Sequence, residues 1–212
     1  VFIRSGSASI DADGVQVVDL DASGHQVGTL PESLAYPDWW HPIAGTDVLG
    51  TVGGVRSVAS NKTVVRCDLA TSRCTTLAGG RETSAFGAVP TATGFAYLST
   101  ANSGNDTPGN RTASLWLAAA NGSAAHRVIS PATVSQVVAS AGGRTLLLVG
   151  ADSVACPSGL PADQHPCFGP PAFFRFDGHT AIRLANANLP TNDPAGYYGH
   201  VTEIVSWSQP QS

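Results

Sequence analysis

Two segments bring together residue types suited to gripping a ligand. In AYPDWWHP, Tyr36, Asp38, Trp39, Trp40 and His41 fall within six positions, and in AGYYGH, Tyr197, Tyr198 and His200 fall within four. Each segment sets two adjacent aromatics ahead of a histidine. Flat aromatic faces with polar tips are surfaces on which sugar rings and peptide side chains stack. Arg81 and Glu82 of GGRETS, together with Asp193, would supply hydrogen bonds around such a platform. The competing reading is packing, because adjacent residues of a strand face opposite ways and one of each aromatic pair then points into a core.

Catalytic patterns are scarcer. No G-x-S-x-G elbow exposes a serine nucleophile. Glycoside hydrolysis needs a pair of carboxylates, for which Asp38, Glu82 and Glu203 are the candidates, with Glu32 and the loop aspartates behind them. Glu203 lies inside an apolar run, where a solvated or chain-pairing role is the simpler reading. Asp11, Asp13, Asp19 and Asp21 resemble part of a calcium loop but lack its third aspartate and distal glutamate, and Asp-Gly is also the commonest hairpin turn. The six histidines show no H-x-H or H-E-x-x-H spacing. No catalytic residue, metal or cofactor is therefore assigned.

The four cysteines fall in two close pairs without zinc-ligand spacing. VVRCDLATSRCTTL sets Cys67 and Cys74 on either side of a turn, able to meet across a hairpin. CPSGLPADQHPC makes Cys156 and Cys167 the ends of a stapled, Pro-rich loop. Each bridge would stabilise by roughly 2 to 3 kcal/mol on the chain-entropy account, in an oxidising compartment. This predicts a secreted or extracytoplasmic domain, the ectodomain of an anchored protein included. The sequons at Asn61, Asn105, Asn110 and Asn121 matter only in a glycosylating host.

The chain that must position these residues has 212 residues, 12% of them charged, with 23 Gly and 14 Pro. That composition excludes a disordered tail, a coiled coil and a long-helix bundle. A formal net charge of −4 leaves no basic field for a polyanion, so neither nucleic acid nor an anionic membrane surface is an expected partner. The longest apolar stretches fall far short of the roughly 20 residues that span a bilayer, so no membrane insertion of this segment is expected. The chain opens on Val1 without a basic, then apolar, leader and reads as a mature or excised piece. Ten Arg against one Lys, with abundant Ala and Gly, is the composition of a high-GC bacterium of actinobacterial type.

One phrase recurs along the chain: a short apolar strand, a small polar turn, and a second strand ending in Leu or Ile. It appears as VQVVDLDASGHQVGTLP, TVVRCDLATSRCTTLAG, SLWLAAANGSAAHRVIS and FFRFDGHTAIRLANA. The turn-entering residues Asp19, Asp68, Ala118 and Phe176 are spaced by 49, 50 and 58. Between these hairpins lie DWWHPIAGTDVLGTV, FGAVPTATGFAYLST and SQVVASAGGRTLLLVG, each again strand, turn, strand. A period near 50 with four strands per unit is the content of a propeller blade. The Ala-rich SLWLAAA alone would favour a helix by propensity, but its repeat position predicts a strand.

The motifs VVDLDASGHQVGTL, VVRCDLATSRCTTL, FRFDGHTAIRL and SAGGRTLLL resemble the TolB-type, WD-like propeller repeats of bacteria over nearly the whole chain. The first-strand Ser-Pro-Asp-Gly of that family survives only in degenerate form, as HPIAGTD, PTATG and SAGG. The family also commonly has six or more blades.

The predicted architecture is all-β, a single β-propeller domain over 1–212. Four four-stranded blades lie at 201–208 plus 1–31, 36–79, 85–130 and 134–187, closed by pairing of the N- and C-terminal strands. A fragment of a larger propeller is the alternative. A propeller binds at the mouth of its channel, built here from loops that include 34–41, 79–85 and 186–200. The expected function is non-catalytic binding or sensing of an extracellular carbohydrate or protein through this aromatic-rich rim. The alternatives are a secreted glycoside hydrolase or lyase using channel carboxylates, and a purely structural or oligomerisation domain.

Overall fold

The computed structural model describes residues 2–5, 16–20, 26–29, 38–52, 62–101, 113–160 and 167–184. Every regular element among them is a β-strand. β1 (Phe2–Ser5), β2 (Gln16–Leu20) and β3 (Gln26–Thr29) form a three-stranded antiparallel sheet, sheet 1. Sheet 2 comprises β4 (Asp38–Ala44), β5 (Asp47–Val52), β6 (Thr63–Asp68) and β7 (Arg73–Ala78). Sheet 3 comprises β8 (Thr83–Thr91), β9 (Gly94–Ala101), β10 (Ser114–Ala119) and the short β11 (His126–Arg127).

Sheet 4 follows the same order with β12 (Thr133–Ala139), β13 (Leu146–Ala151), β16 (Ala172–Phe176) and β17 (Ala181–Arg183). Between β13 and β16 the chain detours through a two-stranded ribbon, β14 (Ser153–Val154) and β15 (Cys167–Phe168). The repeated hairpins therefore fold as repeated antiparallel sheets. The segment 201–208, expected to add a first strand beside β1, lies outside the described residues.

Alternation along each strand divides its side chains between two interfaces. On β9, Phe95 and Tyr97 join Leu49 and Val64 of sheet 2, while Ala96 and Leu98 join Val134, Leu148 and Phe174 of sheet 4. Sheet 3 is thus sandwiched face to face between its sequence neighbours. Burial on both faces explains why these strands read as nearly continuous apolar runs. It also overrides the helix propensity of Ser114–Ala119, where Leu115 and Ala118 are buried in opposite clusters.

Two further clusters lie on the outward faces of this stack. Val48, Val52, Val65, Cys67 and Leu69 are buried on sheet 2, and Leu147 and Val149 on sheet 4. The first strands adjoin one another, β4 beside β8 and β8 beside β12. The fourth strands are short or largely exposed and carry Arg73, Arg127 and Arg183, which blunts their free edges.

The first strands share an irregularity. Each carries an extra residue relative to its partner: between Asp38 and His41 on β4, Phe86 and Val89 on β8, and Val134 and Gln136 on β12, with a second on β4 between Pro42 and Ala44. Such bulges bend and twist a strand locally. On β8 the extra residue sits beside Gly87, whose φ of +59° favours glycine. The junctions between sheets repeat as well. Ala85 N–H donates to Lys62 O at 2.9 Å, and one repeat later Val134 N–H donates to Ala113 O at 2.9 Å.

Both cysteine pairs are joined. Cys67 and Cys74 are directly opposed on β6 and β7, with Cα atoms 4.0 Å apart. Cys156 and Cys167 close the ribbon, with Cα atoms 5.2 Å apart.

Candidate functional site

β4 carries the first aromatic segment. Asp38 pairs with Thr51 and His41 with Leu49, so Trp39 and Trp40 together face the single residue Gly50. The segment expected as a rim loop over 34–41 therefore enters the sheet at Asp38, and Trp40 and His41 are the third and fourth residues of a strand. Gly50 is the floor on which the Trp40 indole lies: a Cβ there would collide with Trp40 Cε3. The bulge and this glycine act together, one swinging the indole over β5 and the other leaving room for it.

Trp40 packs against the cluster of Val48, Val52, Val65, Cys67 and Leu69. The apolar part of its ring thus serves the core, as the packing alternative required. Its indole Nε1 is buried with no hydrogen-bond partner among the described residues, and the same holds for Thr51 Oγ1, one residue beyond Gly50. Buried donors of this kind are nearly always paired, so two orphans beside one glycine on adjacent strands mark an unusual place in the sheet.

His41 lies on the same strand, half-buried, and burial pushes its imidazole below the ordinary 6.5. Desolvation disfavours the cation relative to the neutral ring, in which one nitrogen is a donor and the other an acceptor. β8, which packs against β4 and β5, brings Ser84, fully buried, to the junction of sheets 2 and 3. Ser84 Oγ accepts from the Lys62 N–H at 3.4 Å. In the next junction Thr133 Oγ1 donates to Ala113 O at 3.2 Å. Ser84 and Thr133 are 49 residues apart, so the repeat itself could have revealed these junction hydroxyls, which the search for chemical motifs passed over.

Arg81 and Glu82 are exposed in the turn that precedes β8. Gly79, with φ +87°, makes that turn possible: a Cβ there would meet Lys62 O at 2.6 Å. These two charges stand at the entry of a first strand, whereas Trp40 and His41 stand deeper along the neighbouring one. Asp38 and Trp39 have their backbones in β4, and their side chains lie outside the described residues. Tyr36, Asp193, Tyr197, Tyr198, His200 and Glu203 also lie outside them.

Four of the described carboxylates, Asp47, Asp68, Asp152 and Asp177, serve the scaffold. Asp47 accepts from Arg66 Nε at 2.9 Å and again from its Nη2. Asp68 accepts from the Thr46 and Thr71 hydroxyls, both at 2.7 Å, and these bonds hold its carboxyl below the usual range. Asp177 is lowered by the Thr180 and His179 N–H groups that it caps. Asp152 meets Arg183 at 3.3 Å. A general acid for glycosidic cleavage needs the opposite displacement, a raised pKa. No group of three or more His, Cys, Asp or Glu capable of holding a metal occurs among the described residues. No helix among them is long and apolar enough to cross a membrane.

No protein-family model matches the sequence, and no curated protein matches it. Among solved structures it is similar to a crystal structure of TolB from Acinetobacter baumannii, at 18% identity and a TM-score of 0.46. The match covers 86% of this chain and 39% of that one, so the chain spans well under half of the structure it resembles. This is a resemblance of fold alone, in keeping with the TolB-type phrases in the sequence.

Proposed function

We propose that this chain is an extracytoplasmic, non-catalytic binding domain that recognises a carbohydrate or a protein partner through the aromatic surface around β4. The observation that carries this reading is the Trp40 indole, laid on Gly50 with no partner for its N–H among the described residues, next to a histidine whose cationic form burial disfavours. Neutral donors and acceptors beside aromatic faces suit hydroxyl-rich or peptide ligands better than ions. Two disulfides are compatible with an oxidising compartment.

We further infer a four-blade ring. Sheet 1 is ordered β1-β2-β3 where its neighbours have four strands, and β1 occupies the position of a second strand. Pairing of 201–208 with β1 would complete that blade, and sheet 1 would then cover the outward clusters of sheets 2 and 4. Ring closure protects every sheet edge, which an open stack does not.

A thermal-shift screen against oligosaccharide fragments, repeated with Trp39→Ala and Tyr198→Ala, tests the binding reading. A ligand at 100 times its Kd adds about 2.7 kcal/mol. A saturable shift that both substitutions abolish supports an aromatic site fed by both segments. A shift that survives both places recognition elsewhere on the domain.

A further inference from the structure

We propose that the β10–β11 turn is a self-modifying site, in which Asn121 cyclises onto the Gly122 nitrogen and loses its amide. Asn121 is the sole asparagine in the sequence that is followed by glycine, and it is exposed at the turn tip. Its side-chain Oδ1 accepts two hydrogen bonds, from the Ser123 N–H at 3.0 Å and from the Ser123 hydroxyl at 2.7 Å. When a nucleophile adds to the side-chain carbonyl, negative charge develops on that oxygen. Two donors already aimed at it strengthen as the charge grows, which is the arrangement of an oxyanion hole.

The nucleophile is the neighbouring backbone nitrogen. Gly122 has φ +82° and no Cβ to hinder approach. Its N–H donates to Ala119 O at 2.8 Å, a bond in an exposed turn that must open before the proton passes to solvent hydroxide. The nitrogen lone pair then forms a bond to Asn121 Cγ, the Cγ–Nδ2 bond breaks, and ammonia leaves carrying a proton from solvent. The product is a five-membered succinimide. Water adds to either of its carbonyls, giving aspartate or, with one more atom in the main chain, isoaspartate.

The position gives the reaction a structural consequence. A Cβ on Gly122 would lie 2.7 Å from Leu77 O, so this turn rests against β7 of sheet 2. An isoaspartate link would lengthen the backbone where two sheets meet. The modification therefore acts on the outer seam between sheets 2 and 3, far in sequence from the β4 aromatics.

The test is peptide mapping by mass spectrometry of the intact, disulfide-bonded protein after incubation in mildly alkaline buffer, beside the same protein kept unfolded in urea. Wild-type, Ser123→Ala and Ser123→Thr are compared. Folded wild-type should convert at Asn121 at least as fast as the unfolded chain and yield both aspartate and isoaspartate. Ser123→Ala should slow the folded protein about fivefold, the effect of one ordinary hydrogen bond, and Ser123→Thr should restore the rate. Conversion slower in the folded than in the unfolded chain would overturn the proposal, as would a folded Ser123→Ala protein reacting at the wild-type rate.

Discussion

The two faces of sheet 3 are built from different chemistry. Toward sheet 4 the buried cluster is aliphatic and phenyl, with Val89, Leu98, Leu115, Leu148, Phe174 and Phe176 buried together. Toward sheet 2 it holds a pile of aromatics, Phe95 to Tyr97 at 5.6 Å and Tyr97 to Trp116 at 6.3 Å, around small Ala85 and Ala88. The buried Ser84 lies at this second junction, and beyond it β4 carries His41 and Trp40 while β5 carries Thr51, the Trp40 and Thr51 polar groups having no hydrogen-bond partner among the described residues. The sheet 3–sheet 4 seam is the larger aliphatic contact, with the Thr133 hydroxyl at its margin, while the sheet 2–sheet 3 seam encloses the fully buried Ser84 and adjoins the β4–β5 pair that holds Trp40 and Thr51. Proteins keep such imperfect packing where a site requires it, and for that reason the proposed binding surface is the β4 side.

The largest predicted effect probes the cohesive seam. Phe174→Ala should cost about 3 to 5 kcal/mol in chemical denaturation, through lost burial and the cavity left behind. A loss below about 1 kcal/mol would mean that the sheet 3–sheet 4 contact is not the anchor described here.

Next come the cross-links. Replacing both Cys67 and Cys74 by Ala should lower stability by about 2 to 3 kcal/mol, since the bridge joins two strands over a buried cluster. The same change at Cys156 and Cys167 should leave the main transition nearly in place and instead expose the ribbon to limited proteolysis. That ribbon belongs to none of the four hydrophobic clusters. Equal losses in global stability from the two pairs would erase this distinction.

Smaller again, Ser84→Ala should cost about 1 kcal/mol by removing the acceptor of the Lys62 N–H at the polar seam. Thr133→Val in the equivalent junction should match it, because the hydroxyl there reaches the same point of the repeat. Urea midpoints of the two variants, compared with wild-type, check this.

The smallest effect is a pH dependence. Burial holds folded His41 below the ordinary 6.5, so the unfolded chain takes up the proton first as pH falls. This contribution to stability is complete above 6.5 and is lost as pH drops from there toward the folded pKa. His41→Gln should flatten that part of the profile in unfolding curves measured between about pH 7.5 and about pH 5. Losses from Asp68 and Asp177, whose carboxyls are held below 3.8, belong to more acid conditions and should be unchanged in that variant.

Much of this architecture is legible in the sequence because it repeats. The hairpin phrases at 63–79 and 114–130 correspond to β6–β7 and β10–β11, and each cysteine has its partner at the near spacing. The first-strand bulges are not legible. An inserted residue leaves apolar runs apolar, and on β8 only Gly87 hints at it. The strand phrase beginning at Asp38 corresponds to β4, whereas the rim loop drawn over 34–41 overlaps it from Asp38 onward. The ribbon is hidden for a different reason: two-residue strands carry no periodicity, and its pairing rests on the disulfide and on Gly169 N–H donating to Asp152 O at 3.0 Å. At the site, residue types pointed to Trp40 and His41, but the orphan groups and the Gly50 floor exist only once β4 and β5 are paired.

The central claim, recognition on the β4 side, is tested most directly by following the indole N–H resonances of the protein's four tryptophans by NMR during titration with an oligosaccharide or partner that stabilises the domain. Trp40→Phe identifies the Trp40 signal by its disappearance. The account predicts that this signal moves saturably with ligand while that of Trp116, inside the sheet 2–sheet 3 seam, stays fixed. A ligand that binds and stabilises the domain while leaving the Trp39 and Trp40 signals unmoved would contradict it.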